Sequence, residues 1–200
     1  MLNAHSLEGT YTALITPFTE DGQIDFQAFS SLVERQIEAG IDGLVPCGTT
    51  GEAATMDPAE QAALIAVCVE VAAGRVPVIA GVGSMSTLES ATLAQAACAA
   101  GVDGLLLVTP PYNKPPQAGL VAHFKTVAKA AQDLPIVFYN VPGRTAYDAG
   151  LDDLIAVCQA VPGVVGVKEA TGDIERATQL NEHFGDRLAL MSGDDFSLLP

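Results

Sequence analysis

Residues 76–110 read VPVIAGVGSMSTLESATLAQAACAAGVDGLLLVTP, and this stretch holds one full repeat of the predicted fold. Its two ends are nearly continuous apolar runs, which is typical of parallel strands that are buried on both faces. The segment between them has the length of a helix. It begins with a predicted N-cap and capping box, Ser86 and Glu89, and it stops at Gly101. The stretch therefore predicts a strand, a helix and a second strand parallel to the first.

The same alternation runs along the whole chain at a spacing of roughly thirty residues. Strands are predicted at residues 11–17, 43–47, 76–82, 104–110, 135–141, 164–170 and 188–193, and helices at residues 26–39, 58–73, 87–100, 117–131, 151–160 and 174–184. Seven such units indicate either a (β/α)8 barrel or an open doubly wound sheet. The sequence has neither a G-x-G-x-x-G motif after its first strand nor a phosphate-binding P-loop motif, so we favour the barrel.

Closure of the barrel is the difficulty with this prediction, because the seventh predicted strand ends at residue 193 of a 200-residue chain. An open parallel barrel exposes two strand edges. We therefore expect residues 1–200 to form an incomplete (β/α)8 barrel catalytic domain, which lacks the eighth strand and the C-terminal helices.

Composition excludes several classes of function. The net charge of −15 would repel the phosphates of nucleic acid. Apolar residues make up 49% of the chain, yet no apolar run reaches the roughly 18 residues that a membrane span needs. The N-terminus lacks the basic and apolar regions of a secretion signal, so we expect a cytoplasmic enzyme. The four cysteines have no C-x-x-C spacing and the three histidines are isolated, so we expect reduced thiols and no metal site.

Polar side chains follow the predicted strands, where the site of a parallel α/β fold lies. Lys168 is the most informative of them, because the four residues before it, 164–167, are apolar. Burial would lower the pKa of its ammonium group and so favour a neutral, nucleophilic amine. Since no metal ligands are found to activate a carbonyl group, we expect this amine to do so. The alternative is a lysine that extends to solvent from a strand end.

Three other features of this rim allow both a functional and a structural interpretation. Tyr139 is a candidate proton carrier, or a half-buried tyrosine with a hydrogen-bonded hydroxyl group. The turn at residues 48–51 is a candidate cradle for an anion, or a purely structural turn. Arg144 is a candidate ligand for a substrate carboxylate, or an exposed surface arginine. Hydrogen-bonding or solvated positions are expected for the acidic residues of the rim, namely Glu169, Asp194 and Asp195.

Four motifs occur in order along the chain: GTTGE at 48–52, YNKP at 112–115, YNVPGRT at 139–145 and VKEATG at 167–172. Together they resemble the dihydrodipicolinate synthase (4-hydroxy-tetrahydrodipicolinate synthase) family. This family belongs to the superfamily of lysine-dependent pyruvate aldolases and N-acetylneuraminate lyase. The likeness covers essentially the whole chain, from Gly9 to Asp195. It implies a (β/α)8 barrel from which roughly the last third is missing.

The resemblance also implies a reaction. The enzyme would be a lyase that condenses pyruvate with aspartate 4-semialdehyde to 4-hydroxy-tetrahydrodipicolinate, in the diaminopimelate route to lysine. Lys168 would form the Schiff base with pyruvate, so that no separate cofactor is needed. Tyr139 would carry protons in a relay with Thr49 and Tyr112. The tyrosine equivalent to Tyr112 reaches in from a neighbouring subunit of a homotetramer, a dimer of dimers.

Substrate contacts follow from the same resemblance. Thr50 would bind the pyruvate carboxylate, and Arg144 would bind the carboxylate of the aldehyde. Gly193 would lie where the backbone approaches the substrate. Arg144 distinguishes this reaction from the alternative within the superfamily, a sugar-acid lyase or aldolase, because those enzymes usually lack it. A second alternative is a truncated remnant that keeps the motifs but assembles no active site.

One departure from the family concerns regulation. In members that L-lysine inhibits, the effector pocket at the subunit interface is built from polar and aromatic residues. Only Glu89 is retained here, while the other aligned positions are Ala53, Pro58, Gln61, Met85 and Pro111. We therefore expect L-lysine to inhibit weakly or not at all.

Overall fold

Alternating strands and helices make up the structure, a computed structural model that describes residues 2–132 and 134–197. The strands are β1 (Tyr11–Ala13), β2 (Gly43–Val45), β3 (Ile79–Gly81), β4 (Gly104–Val108), β5 (Ile136–Asn140), β6 (Val164–Glu169) and β7 (Ala189–Ser192). The α-helices are α1 (Phe26–Glu38), α2 (Pro58–Ala72), α3 (Thr87–Ala100), α4 (Gln117–Ala130), α5 (Pro142–Thr145), α6 (Leu151–Ala160) and α7 (Ile174–Phe184).

The strands are parallel and lie in the order of the sequence. β1 pairs with β2, and β3 to β7 form one five-stranded sheet. An isolated parallel bridge between Leu44 and Val78 connects the two sets, together with a hydrogen bond from the Gly81 N–H to the Pro46 carbonyl at 2.9 Å. This consecutive order confirms the barrel and contradicts the doubly wound alternative, whose strand order reverses within the sheet.

A groove separates the two edge strands. Within the described residues, β1 pairs only with β2 and β7 only with β6. Between them lies a cavity of about 740 Å³, which extends from the N-terminal segment around Leu7 to Lys168 at the carboxyl ends of the strands. Residues 198–200, which fall within the predicted incomplete barrel, lie outside the described part of the chain.

Two apolar clusters lie on opposite faces of the sheet, as the alternation of side chains along a strand requires. The outer cluster fills the space between sheet and helices and includes Phe124, whose ring centroid is 4.4 Å from that of Phe138. The inner cluster is smaller and includes Val137 and Tyr139. Side chains on the inner face of β5 and β6 therefore point into the barrel, while their neighbours point towards the helices.

Helix capping follows the sequence in one case and departs from it in another. Asp57 caps α2 in a reciprocal capping box with Glu60, with both hydrogen bonds at 2.8 Å. Ser86 accepts the Glu89 N–H at the start of α3, as predicted. The predicted capping box at this helix is wrong, because the Glu89 carboxylate accepts the hydroxyl of Ser84 at 2.6 Å instead.

The observed boundaries differ from the predicted ones mainly at the carboxyl ends of the strands. The apolar pattern extends the predicted first strand to residue 17, but β1 ends at Ala13, and the Leu14 N–H continues the pairing with β2 through the Val45 carbonyl at 3.0 Å. The short helix α5 was not predicted, since its sequence, PGRT, has too few residues for a helical pattern. The four cysteines are free thiols, three of them buried. No helix among the described residues is long and apolar enough to cross a membrane.

Candidate active site

Lys168 lies one residue before the end of β6, and its register fixes its neighbours. It pairs with Tyr139 on β5 and with Met191 on β7. Because paired residues of neighbouring strands face the same side, all three belong to the inner face of the barrel. The Lys168 side chain lines the large cavity together with Val137 and Tyr139.

The environment of Lys168 disfavours its charged form. Burial lowers the pKa of the Lys168 ammonium group below its ordinary value, and the nearby carboxylate of Asp195 opposes this shift only in part. The Nζ atom lies 4.6 Å from the centroid of the Tyr139 ring, close enough for a cation–π contact when the amine is protonated. The amine is thus held beside a phenol in a partly desolvated position.

Tyr139 is only 7% exposed. Burial raises the pKa of its phenol, while a hydrogen bond with the Thr49 side chain and the positive charge of Arg144 act in the opposite direction. A phenol with a neighbouring hydroxyl group and a neighbouring cation is suited to accept and return a proton. The structure therefore brings together Tyr139, Thr49 and Arg144, three of the residues that the sequence singled out.

The turn that carries Thr49 and Thr50 is a single 3-10 turn over Thr49–Gly51. A hydrogen bond holds this turn against the chain that follows β1, because the hydroxyl of Thr16 donates to the Gly51 carbonyl at 2.6 Å. A side chain at residue 51 would lie 2.8 Å from the Leu14 carbonyl oxygen, so the close approach requires glycine. Thr50 lines the cavity of Lys168, whereas Thr49 lines a second cavity on the other side of Tyr139.

Arg144 lies on the one-turn helix α5, just after β5, and it is exposed. It lines the second cavity, which has a volume of about 320 Å³ and is also bordered by Thr49 and Tyr139. None of the salt bridges among the described residues involves Arg144. Its guanidinium group is thus free to meet an anion close to the Tyr139 hydroxyl.

Gly193 follows β7 and closes the site on the side of Lys168. Its N–H donates to the Glu169 carbonyl at 2.7 Å, which extends the pairing of β6 and β7 by one residue. A Cβ atom at residue 193 would lie 2.9 Å from the Lys168 Cε. Only glycine leaves the lysine its present position, so that the backbone at residue 193 borders the amine directly.

Tyr112 is not brought into the site by the described chain. Its side chain is 81% exposed, and it borders neither of the two cavities. Its φ angle of 68° is unusual for a bulky residue and is fixed by a hydrogen bond from its N–H to the Thr145 carbonyl at 2.8 Å. The backbone therefore holds this aromatic ring away from its own barrel.

The positions that align with the effector pocket of the resembled family lie around the second cavity. Its lining includes five of the six aligned residues, namely Ala53, Gln61, Met85, Glu89 and Pro111. Gln61 is nearly buried, and its side-chain amide donates to the backbone carbonyls of Ala53 and Met56. Glu89 is the only charged side chain of this set, and it is already engaged with Ser84.

Four polar residues form a hydrogen-bonded cluster next to the site, and all of them except Glu169 were not assigned a role from the sequence. Glu169 was expected to form hydrogen bonds, and it does so with Asn140 and with the Thr171 N–H. Arg176 and Asp148 join the same cluster from distant parts of the chain. No local motif connects these residues, so only the pairing of β5 with β6 reveals them. Among the described residues, no group of three or more His, Cys, Asp or Glu side chains could hold a metal ion.

Fold and site together define a (β/α) barrel with a buried lysine on its inner face, rather than a nucleotide-binding sheet. The sequence model of the Dihydrodipicolinate synthetase family matches residues 6–200, and the chain belongs to this family. A 4-hydroxy-tetrahydrodipicolinate synthase of Maridesulfovibrio salexigens is 51% identical over 195 residues, which are 98% of this chain and 66% of that protein.

Solved structures agree with this assignment. A dihydrodipicolinate synthase from Acinetobacter baumannii, described as chloride-inhibited and complexed with pyruvate, matches with a TM-score of 0.89 and 43% identity. The match covers 94% of this chain and 64% of that one. The enzyme from Cyanidioschyzon merolae with lysine bound matches with a TM-score of 0.91 and 40% identity, over 95% of this chain and 64% of that one. The chain thus spans about two thirds of the length of these relatives.

Replacement of Lys168 by methionine tests how strongly the fold disfavours the ammonium group. Because the folded state lowers the pKa of Lys168, burial of the ammonium group reduces the free energy of unfolding whenever the lysine is protonated. This reduction is largest at a pH below the pKa of Lys168 in the folded protein, and it disappears at a pH above the pKa of lysine in the unfolded chain. Lys168→Met should therefore raise the free energy of unfolding at neutral pH, and the gain should shrink as the pH rises into the ordinary lysine range. Urea unfolding at several pH values measures both effects.

The matched control is Lys125→Met, at an exposed position of α4. It should change the free energy of unfolding little at any pH, because an exposed ammonium group pays no such penalty. An equal gain in both variants, or a loss of stability in Lys168→Met that does not depend on pH, would contradict the burial argument.

Proposed function

We propose that the protein condenses pyruvate with aspartate 4-semialdehyde to 4-hydroxy-tetrahydrodipicolinate through an imine on Lys168, as a cytoplasmic lyase of the diaminopimelate route to lysine. The observation that carries this proposal is the buried Lys168 amine beside the Tyr139 phenol on the inner face of the barrel. Family membership supports the substrate class, since the Acinetobacter baumannii relative was solved in complex with pyruvate. The amine itself activates the carbonyl group, so the proposed reaction needs no separate cofactor.

The first half of the reaction uses only the end of the large cavity that Lys168, Tyr139 and Thr50 border. The neutral Lys168 amine attacks the ketone carbon of pyruvate, and Tyr139 transfers protons so that the hydroxyl group leaves as water. Thr50 borders the same cavity and binds the pyruvate carboxylate with its hydroxyl group and the neighbouring backbone. The resulting iminium ion makes the methyl protons acidic, and loss of one of them gives an enamine.

The second half of the reaction uses the cavity on the other side of Tyr139. Arg144 binds the carboxylate of aspartate semialdehyde there and so brings the aldehyde towards the enamine. A carbon–carbon bond forms, and the aldehyde oxygen takes up a proton through Tyr139 and Thr49. The amine of the substrate then displaces Lys168 by transimination, which closes the ring and regenerates the free lysine.

A second subunit completes the relay in this proposal. The exposed Tyr112 ring supports a role in a neighbouring subunit, because its backbone directs it away from its own site. Two other exposed apolar side chains lie nearby at the start of α3, Met85 and Leu88, and the amide of Asn113 donates to the Met85 carbonyl at 2.7 Å. Such a patch suits a protein–protein contact. We assign it to the dimer contact within a homotetramer, a dimer of dimers.

Closure of the barrel is also part of the proposal. The groove between β1 and β7 exposes two strand edges, and about a third of the length of the curated relatives lies outside the matched region. We assign an eighth strand and the C-terminal helices to further chain that fills this groove. The alternative, a remnant without activity, differs in that Lys168 would then remain open to solvent along the groove.

Trapping of the imine tests the proposal directly. Treatment of the intact protein with pyruvate and borohydride should leave a stable adduct on Lys168, which mass spectrometry of peptides locates. Lys168→Arg keeps the positive charge but removes the nucleophilic amine, so it should give no adduct. Lys125→Arg is the matched control and should react as the unmodified protein does. A folded protein that forms no adduct would favour the remnant.

Arg144→Ala separates the two substrates. It should reduce kcat/KM for aspartate semialdehyde by about 100-fold, because a charge-assisted contact with the substrate carboxylate is lost. The rate of pyruvate adduct formation should change little, since pyruvate is bound on the other side of Tyr139. The exposed Arg35 of α1 offers the control substitution Arg35→Ala. Cleavage of N-acetylneuraminate faster than the condensation would favour the sugar-acid lyase instead.

Sensitivity to L-lysine should be weak or absent. Of the positions aligned with the effector pocket, Ala53, Met85 and Pro111 offer no polar side chain to the charged groups of L-lysine, and Glu89 is engaged with Ser84. The condensation rate measured against L-lysine concentration should stay nearly constant through the low-millimolar range. Half-inhibition at or below that range would show that the cavity binds L-lysine despite these residues.

A further inference from the structure

Behind Tyr139 and Lys168, on the helix side of the sheet, lies a polar group of four side chains. We call it the clasp, and it consists of Asn140 at the end of β5, Glu169 at the end of β6, Asp148 between α5 and α6, and Arg176 on α7. Asn140 is fully buried and Glu169 is 8% exposed. Burial of polar groups at this depth is tolerated only when they are hydrogen-bonded.

Asn140 and Glu169 connect the two strands directly. They pair in register, and the Asn140 side-chain amide donates to both Glu169 carboxylate oxygens at 3.1 and 3.2 Å. The Asn140 side-chain oxygen in turn accepts the Ala149 N–H at 3.1 Å. Glu169 also accepts the Thr171 N–H at 2.9 Å. The last residues of both strands are thus tied to each other and to the chain that follows them.

Arg176 connects this pair of residues to helix α7. Its guanidinium group meets the Asp148 carboxylate with two hydrogen bonds, at 2.7 and 2.9 Å, and reaches Glu169 at 3.4 Å. The pKa of the Asp148 carboxyl lies below its ordinary value, chiefly because of the hydrogen bond from Arg176. The Asn140 amide also donates to Asp148, at 2.9 Å. Four separate elements therefore meet in one hydrogen-bonded unit.

The clasp and the candidate active site lie on opposite faces of the same two strand ends, those of β5 and β6. Tyr139 and Lys168 immediately precede Asn140 and Glu169, and successive side chains of a strand point to opposite faces. The backbone at Glu169 also accepts the Gly193 N–H at 2.7 Å, and residue 193 borders the Lys168 side chain. A shift of either strand end at the clasp would therefore move the amine or the phenol on the inner face.

We propose that the clasp positions the Lys168 amine and the Tyr139 phenol, and keeps them at the distance from each other that the reaction requires. This inference rests on the proposed imine chemistry of Lys168. The clasp touches no substrate. It acts through the two strand ends, and its members are positioning residues rather than catalytic ones.

Binding of pyruvate should be largely independent of the clasp. The turn proposed to bind the pyruvate carboxylate follows β2, and it is anchored by the hydroxyl of Thr16, which donates to the Gly51 carbonyl. None of the hydrogen bonds of the clasp reaches that turn. Loss of the clasp should therefore slow the chemical step and leave the affinity for pyruvate nearly unchanged. A general loss of site structure would change both.

The test is Glu169→Gln in the intact protein, with pyruvate and borohydride as the probe. Glutamine has the size of glutamate, but its amide group would face the donors of Asn140 and Arg176. The maximal rate of adduct formation on Lys168 should fall on the order of 10- to 100-fold, the effect of a displacement of about 1 Å at a reacting group. The pyruvate concentration that gives half of the maximal rate should change less than about threefold.

Glu175→Gln is the matched control, since this exposed glutamate of α7 lies outside the clasp. It should leave both quantities unchanged. Arg176→Lys keeps the positive charge but loses the two-pronged contact with Asp148, so it should give a smaller fall in the same maximal rate. If Glu169→Gln fails to fold by circular dichroism, Arg176→Lys alone decides the question.

The outcomes separate this inference from the proposed function. An unmodified protein that forms no adduct overturns the proposed function. An unmodified protein that reacts, with Glu169→Gln or Arg176→Lys reacting at the same rate, overturns the role of the clasp alone. A fall in rate that comes with a proportional rise in the half-saturating pyruvate concentration also overturns it, because the clasp would then support the whole site rather than position two groups.

Discussion

Register between β5 and β6 places Tyr139 and Lys168 side by side on the inner face of the barrel, with the lysine Nζ atom 4.6 Å from the centroid of the tyrosine ring. A slip of one residue in either strand would turn its side chain, Tyr139 or Lys168, to the helix side, because side chains alternate along a strand. It would also carry Asn140 or Glu169 into the barrel and separate it from its hydrogen-bonded partners. The position of the amine and the satisfaction of the buried polar groups therefore depend on the same register.

The desolvated position of Lys168 opposes the stability of the fold. Burial lowers the pKa of the ammonium group, which means that the folded state carries a cost whenever that group is charged. Such costs are typical of functional sites, where local stability is lower than the surrounding structure would allow. The larger outer cluster, in which Phe124 of α4 packs against Phe138 of β5, stabilises the fold against this cost.

Much of this arrangement could be predicted from the sequence, because the relevant signals are local. The apolar run before Lys168 predicted its strand, and the helix of residues 174–184 was predicted with the bounds that the structure has. Tyr139, Thr49 and Arg144 were expected at one rim, and they border a common cavity. The family resemblance is likewise carried by short motifs, and the match to residues 6–200 confirms it.

Contacts between distant residues account for part of what the sequence could not predict, and short local features account for the rest. Arg176 and Asp148 are 28 positions apart and belong to no motif, so their place behind the active site appears only when β5 and β6 are paired. The Glu89 N–H donates to Ser86 as predicted, but the Glu89 carboxylate, which was expected to complete a capping box, accepts the hydroxyl of Ser84. Helix α5 is too short to give a helical pattern in the sequence, although it carries Arg144 and places it at the second cavity.

The pH dependence of imine formation tests the central claim most directly. In single-turnover experiments with saturating pyruvate and borohydride, the rate of adduct formation on Lys168 should rise with pH as the amine loses its proton. Because burial lowers the pKa of Lys168, this rise should be complete at a pH below that at which an exposed lysine titrates. A rate that keeps rising through the ordinary lysine range, or an adduct that forms on another lysine, would contradict the account.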